Sequence, residues 1–179
     1  MAINFATVQT ALYNWAIANL PSGMPVIFYY ANAPRPTISY VTLNIQSVVA
    51  VNQDWTDSST DANGIVNMKG DRQFTLSIQA YGGDTLTTLE NLRTSLQKQT
   101  VLDTLRANGI VFYQSLTIND ITALVDSRYE SRAQLDVLFG IGQVYTDTPG
   151  YFDHTVIQEV ILDPSGNTVY NQLITIPSP

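Results

Sequence analysis

The sequence predicts an α+β fold: an antiparallel or mixed sheet with helices packed on one side and a protruding C-terminal β-hairpin. Two long segments alternate apolar and polar residues with period two, the mark of half-buried strands. Apolar residues at helical spacing stand before the strands and between them. The last segment reads as two alternating arms around a turn. Helix, strands, helix, strands is not the order of a doubly wound nucleotide binder.

Asn4 can cap a first helix in which Phe5, Val8, Leu12 and Trp15 recur on one face, and LPSGMP stops it. Pro25–Tyr30 is a short strand candidate, and Pro34 and Pro36 hold the following segment extended. In SYVTLNIQSVVAV, Val41, Leu43, Ile45 and Val49 are expected to share a face. In RQFTLSIQAY the apolar set is Phe74, Leu76, Ile78 and Ala80. The connection between them, NQDWTDSSTDANGIVNMKGD, reads as a long acidic loop. Asp84 caps a second helix with a Leu86, Leu89, Leu92 and Leu96 stripe. Thr100 with Asp103 is a second start, and Gly109 a stop. IVFYQSL is a further strand. Another carries Ala133, Leu135, Val137 and Phe139, and HTVIQEVIL, DPSGN and TVYNQLITI form the hairpin. A lone hairpin is marginal in water, so this one needs the body of the domain or a neighbouring subunit. All 179 residues are expected in a single domain, the core over about residues 1–150 and the hairpin over about 151–179.

Only 13% of residues are charged, about half the usual share, which fits either a chain that hides surface in an assembly or a surface made polar by plentiful Ser, Thr, Asn and Gln. Eight Lys and Arg are scattered along a chain of net charge −7, which excludes ordinary phosphate gripping but not a lumen through which DNA slides. With no cysteine there is no disulfide, thiolate catalysis or sulfur-ligated zinc. The opening MAINFATVQTALYNWA lacks a basic stretch before an apolar run, and no stretch approaches ~18 apolar residues, so neither a signal peptide nor a membrane span is expected.

No catalytic, metal or cofactor site is expected. The single histidine, His154, follows Asp153, and neighbouring strand residues point to opposite faces. Gly82-Gly83 precedes a helix, but Asp84 places negative charge where a phosphate would sit. Asp54, Asp57 and Asp61 lack the spacing of a calcium loop. Trp55, an aromatic residue in that loop, reads equally as a cap on the core or as a partner contact. In DSRYESR, the even-numbered Asp126, Arg128, Glu130 and Arg132 alternate in sign along one strand face. Such a row suits either a complementary copy or a solvated ladder.

Taken together, APRPTISYVTLNI, GDRQFTLSIQAYGGD, the Leu-rich helix and above all YESRAQLDVLFGIGQVYTDTPGYFDHTVI resemble the neck or tail terminator proteins of long-tailed bacteriophages. Glu130, Arg132, Ala133, Leu135, Val137, Phe139 and Gly150 stand in the order of that pattern. The likeness spans residues 1 to about 160. It implies a structural virion protein at the neck, assembled in the host cytoplasm and not an enzyme. It would form a ring, six-fold, on the last tail-tube ring and give the head connector its surface. Implied partners are other copies of the chain, the tail tube and sheath, the head–tail connector, and genomic DNA passing without specific contacts. Arg128, Glu130 and Arg132 are then the expected subunit interface. Asp54, Trp55, Asp57 and Asp61 form the expected contact loop for tube or connector. The alternatives are another head–tail joining or tail-tube protein, or a non-viral module for a small ligand or peptide.

Overall fold

The computed structural model describes residues 3–29, 34–61, 63–125, 127–150 and 154–177. In chain order it contains α1 (Phe5–Asn19), β1 (Val26–Phe28), β2 (Tyr40–Ala50), β3 (Trp55–Thr56), β4 (Val66–Tyr81), α2 (Thr85–Ser95) and α3 (Gln99–Ala107). There follow β5 (Ile110–Asp120), β6 (Ala123–Val125), β7 (Arg128–Glu130), β8 (Arg132–Asp147), β9 (His154–Leu162) and β10 (Thr168–Pro177). Two compact units result: Met1–Trp55 with Met68–Tyr145, and Thr56–Asn67 with Thr146–Pro179.

The main sheet runs β1-β2-β4-β8-β5, with β3 beside β4. β1 is parallel to β2, whereas β2 with β4 and β5 with β8 are antiparallel, so the sheet is mixed. One core cluster joins Val8, Leu12 and Trp15 of α1, Leu89 and Leu92 of α2 and Leu105 of α3 to the apolar face of the sheet. The helices therefore cover that one face, and the α+β class expected from the sequence is the one observed. Among the described residues no helix is long and apolar enough to cross a membrane.

Phe139 is the hub of this core. It lies edge-on to Trp15 at 6.3 Å and to Phe112 at 6.1 Å, and stacks on Phe74 at 5.5 Å. Burying such a side chain contributes about 1.5–3 kcal/mol before packing is counted. The Trp15 indole N–H donates to Ser95 Oγ at 3.0 Å, and that hydroxyl donates to the Leu92 carbonyl at 2.7 Å. The Trp15 indole and the Ser95 hydroxyl, both buried, are thus paired within the helix layer.

The capping expectations divide. Asn4 accepts from the backbone N–H of Ala6 and Thr7, and Asp84 accepts from that of Thr87, as their spacing predicts. Thr100 does not start α3: Lys98 occupies the cap position with no side-chain bond, and Asp103 instead accepts from Gln99 and Arg106. Leu86 is not in the α2 stripe. The buried positions of α2 are Thr85, Leu89, Leu92 and Ser95, followed by the buried C-cap Leu96, while Leu86 lies a residue off that face and is exposed. Thr85 takes the inward place because its hydroxyl hydrogen-bonds Ser131 Oγ at 3.1 Å.

The strands differ from expectation at three points. A β-bulge between Ile45 and Ser47 sets Val48, not Val49, opposite Phe74, because one extra residue switches the alternation. The long connection after β2 is shorter as a loop than expected: β3 forms at Trp55–Thr56 and β4 already begins at Val66. The segment 126–132 is not one strand, since β7 ends at Glu130 and β8 starts at Arg132, with β7 paired to β6 in a sheet of its own. The C-terminal hairpin agrees with its prediction. β9 and β10 pair around a turn in which Gly166 N–H donates to the Asp163 carbonyl at 2.9 Å, with Gly166 at φ +85°, a conformation that glycine adopts without strain.

Candidate functional site

The sheet face away from the helices carries a polar and aromatic cluster built by strand register. Tyr40 of β2 lies directly opposite Tyr81 of β4, and their rings stack at 4.6 Å, 2° from parallel. The Arg35 guanidinium sits 5.6 Å from each ring and forms an ion pair with Glu130. The Arg132 guanidinium lies 4.9 Å from the Tyr81 ring and donates to Gln79 Oε1. The Tyr81 hydroxyl donates to the same oxygen at 2.8 Å. Burial pushes the Tyr81 phenol above its usual range. Each cation–π contact is worth about 0.5–2 kcal/mol. The cluster ties the segment around Arg35 and the end of β7 to the sheet. It pairs charges, and offers no nucleophile next to a base.

A second node sits at the start of the loop that precedes β4. Asp54 accepts both arms of the Arg72 guanidinium at 2.6 Å each, and the Tyr145 hydroxyl at 2.8 Å. Both charged side chains are largely covered, at 15% and 17% exposure. The Arg72 hydrogen bonds, then that of Tyr145, hold the Asp54 carboxyl down at about 2. The pair lies against the backbone of Gly70, where any Cβ would collide with the Asp54 carboxylate. Next to it Trp55 is 57% exposed, with the Lys69 ammonium 4.9 Å from its ring. Asp61 serves its turn: the backbone N–H groups of Ile65 and Asn63 keep its carboxyl below the usual range.

The residues singled out from the sequence are therefore dispersed in role. Arg128 is exposed on β7, opposite Val125, and its neighbour Tyr129 is the most open of the described large hydrophobic residues, at 80%. Glu130 and Arg132 face inward onto Arg35 and onto Tyr81 with Gln79. The premise of one alternating row is thus corrected, because the chain changes strand at Ser131. Asp126 and Asp153 lie outside the described residues, as does the side chain of His154. Asp54 is a structural anchor rather than a solvated loop acid, and Asp57 donates its backbone N–H to the Asn67 carbonyl at 2.9 Å. Sequence reasoning missed Arg35, Tyr40, Tyr81, Arg72 and Tyr145. Tyr40 and Tyr81 stand at the ends of their strands in the sequence, but pairing them requires the register. Among the described residues, no group of three or more His, Cys, Asp or Glu side chains lies close enough to hold a metal ion.

A family model described as phage neck terminator protein matches residues 6–172, from α1 into β10. The chain belongs to that family. It is accordingly a tail terminator of the phage neck, and the tube-subunit and small-ligand alternatives give way to that reading. Comparison with curated proteins gives no match. Among solved structures the chain is similar to a sheath/tube terminator of an extracellular contractile injection system, PVC, seen by cryo-electron microscopy in its extended state. The TM-score is 0.43 at 11% identity, over 92% of this chain and 67% of the other.

Proposed function

We propose that this neck terminator acts as a closed ring, six-fold, seated on the last ring of the tail tube, and that its opposite side receives the head connector. The observation that carries this reading is the large apolar surface left open in a chain that carries little charge. Val169 and Leu173 of β10 and Leu124 and Tyr129 of the β6–β7 hairpin are all exposed. Patches of that kind are found where a protein meets its partners. A head-to-tail contact repeated by rotation closes into a ring and leaves no growing end, which is what stopping a tube requires.

Within this reading Arg128, with Tyr129, faces the neighbouring copy, and Glu130 and Arg132 hold β7 in place from inside. Trp55 and the turn through Asp57 and Asp61 contact tube or connector. The role is architectural and calls for no cofactor and no catalysis. The net charge of −7 favours a lumen that DNA crosses without being gripped. In the virion the tail and sheath would lie on one side and the connector on the other.

Light scattering and electron microscopy of the purified chain test the proposal. Discrete rings are expected, and Arg128→Glu should shift them toward monomers. Filaments, or monomers at every concentration, would overturn it.

A further inference from the structure

We infer that the β9–β10 hairpin is an arm by which one copy of the chain grips the next, the outer edge of β10 pairing along the open edge of β5 in a second copy. This rests on the ring reading and supplies its contact.

The acceptor is defined by what β5 lacks. It ends the strand order of the main sheet, so one side of its backbone is not bonded within that sheet. At eleven residues it far exceeds β1, the three-residue strand at the other end. Natural sheets blunt such an edge with Lys, with Pro or with bulges that twist it away. β5 has neither Lys nor Pro, and no charged side chain from Ile110 to Asn119, so bulges are its one protection among these. Two β-bulges interrupt its pairing with β8, and Val111, Tyr113 and Leu116 remain exposed along it.

The donor is defined by what the hairpin exposes. β9 and β10 form a two-stranded sheet of their own, a unit that is marginal alone in water. Register puts Ile157, Ile161 and Ile174 on one face and Val156, Val160 and Leu173 on the other, all exposed. Among the described residues, ten large apolar side chains of the hairpin are open in this way, divided between its two faces.

Charge favours β10 over β9 as the strand that meets a second copy. Each copy is net acidic, so contacting edges must avoid like charge. β10 has no charged residue between Thr168 and Pro177, whereas β9 carries Glu159. The lengths also match, at ten residues for β10 against eleven for β5. An arm and an acceptor edge formed by different segments of the chain make a heterologous contact, the kind that closes a ring.

The absence of native cysteine permits a direct test. One batch of the full chain carries Gln114→Cys, and a second, distinguishable by a tag, carries Asn171→Cys, Gln172→Cys or Leu173→Cys. After mixing and mild oxidation, a disulfide between the two batches is expected at one or more positions, in about tenfold excess over self-linked products. That bond can only join two copies. Leu116→Lys, which charges the edge without touching the core, should convert rings to monomers that keep the near-UV circular dichroism of the packed core. Rings without a mixed disulfide, or rings that withstand Leu116→Lys, would overturn the arm and leave the ring standing. An unmodified chain that is monomeric by light scattering would overturn the ring, and the arm with it.

Discussion

Asp54 grips Arg72 through two parallel hydrogen bonds of 2.6 Å, and Tyr145 completes the site at 2.8 Å. A carboxyl that reads in the sequence as one of several solvated loop acids is instead the anchor of the strand that follows. Its value falls from 3.8 to about 2 on folding. A depressed carboxyl stabilises the fold above its unfolded value and loses that contribution as pH falls through its folded one. The melting temperature should therefore drop between pH 4 and pH 2, and Asp54→Asn should flatten that part of the curve while lowering the plateau above it. A pH series of thermal melts on both proteins checks this, and parallel curves would refute it.

Gly70 is a packing requirement of the same pair. A methyl group there would run into Asp54 Oδ1 and Arg72 Nη1. Overpacking of this kind costs about 1–3 kcal/mol. Gly70→Ala should lower denaturant stability by that amount in the wild-type background and by much less once Asp54→Ala has removed the carboxylate.

The buried bond from Trp15 to Ser95 makes a separable prediction. Ser95→Ala leaves the indole N–H unpaired, at a cost of about 1–3 kcal/mol. Trp15→Phe loses the donor and some packing. The double variant should be less destabilised than the two single variants added together. Chemical denaturation of the three proteins measures the coupling, and strict additivity would mean that the bond does not form.

Helix α2 distinguishes its two leucine environments. Leu89 is fully buried and Leu86 is 47% exposed. Leu89→Ala should cost about 2–5 kcal/mol, whereas Leu86→Gln should stay within about 0.5 kcal/mol. Equal effects in denaturant melts would restore the four-leucine stripe that the spacing implies.

Much of the fold was legible because period and punctuation are local properties. The alternation of Phe74, Leu76, Ile78 and Ala80, the caps at Asn4 and Asp84, and the turn at Asp163–Gly166 follow from neighbours a few residues away. The absence of cysteine and the scarcity of charge are more accessible still, since composition alone bounds the chemistry. The likeness carried by residues 129–157 reached the family because an ordered strand pattern survives in sequence. What tertiary structure alone decided depends on register. The bulge after Ile45 set Val48, not Val49, opposite Phe74, and the change of strand at Ser131 turned Glu130 and Arg132 toward the cluster while leaving Arg128 outside. The pairing of Tyr40 with Tyr81, and of Asp54 with Arg72, joins residues 41 and 18 positions apart. No local rule links them, because cross-strand neighbours are set by how the whole sheet aligns to bury its apolar face.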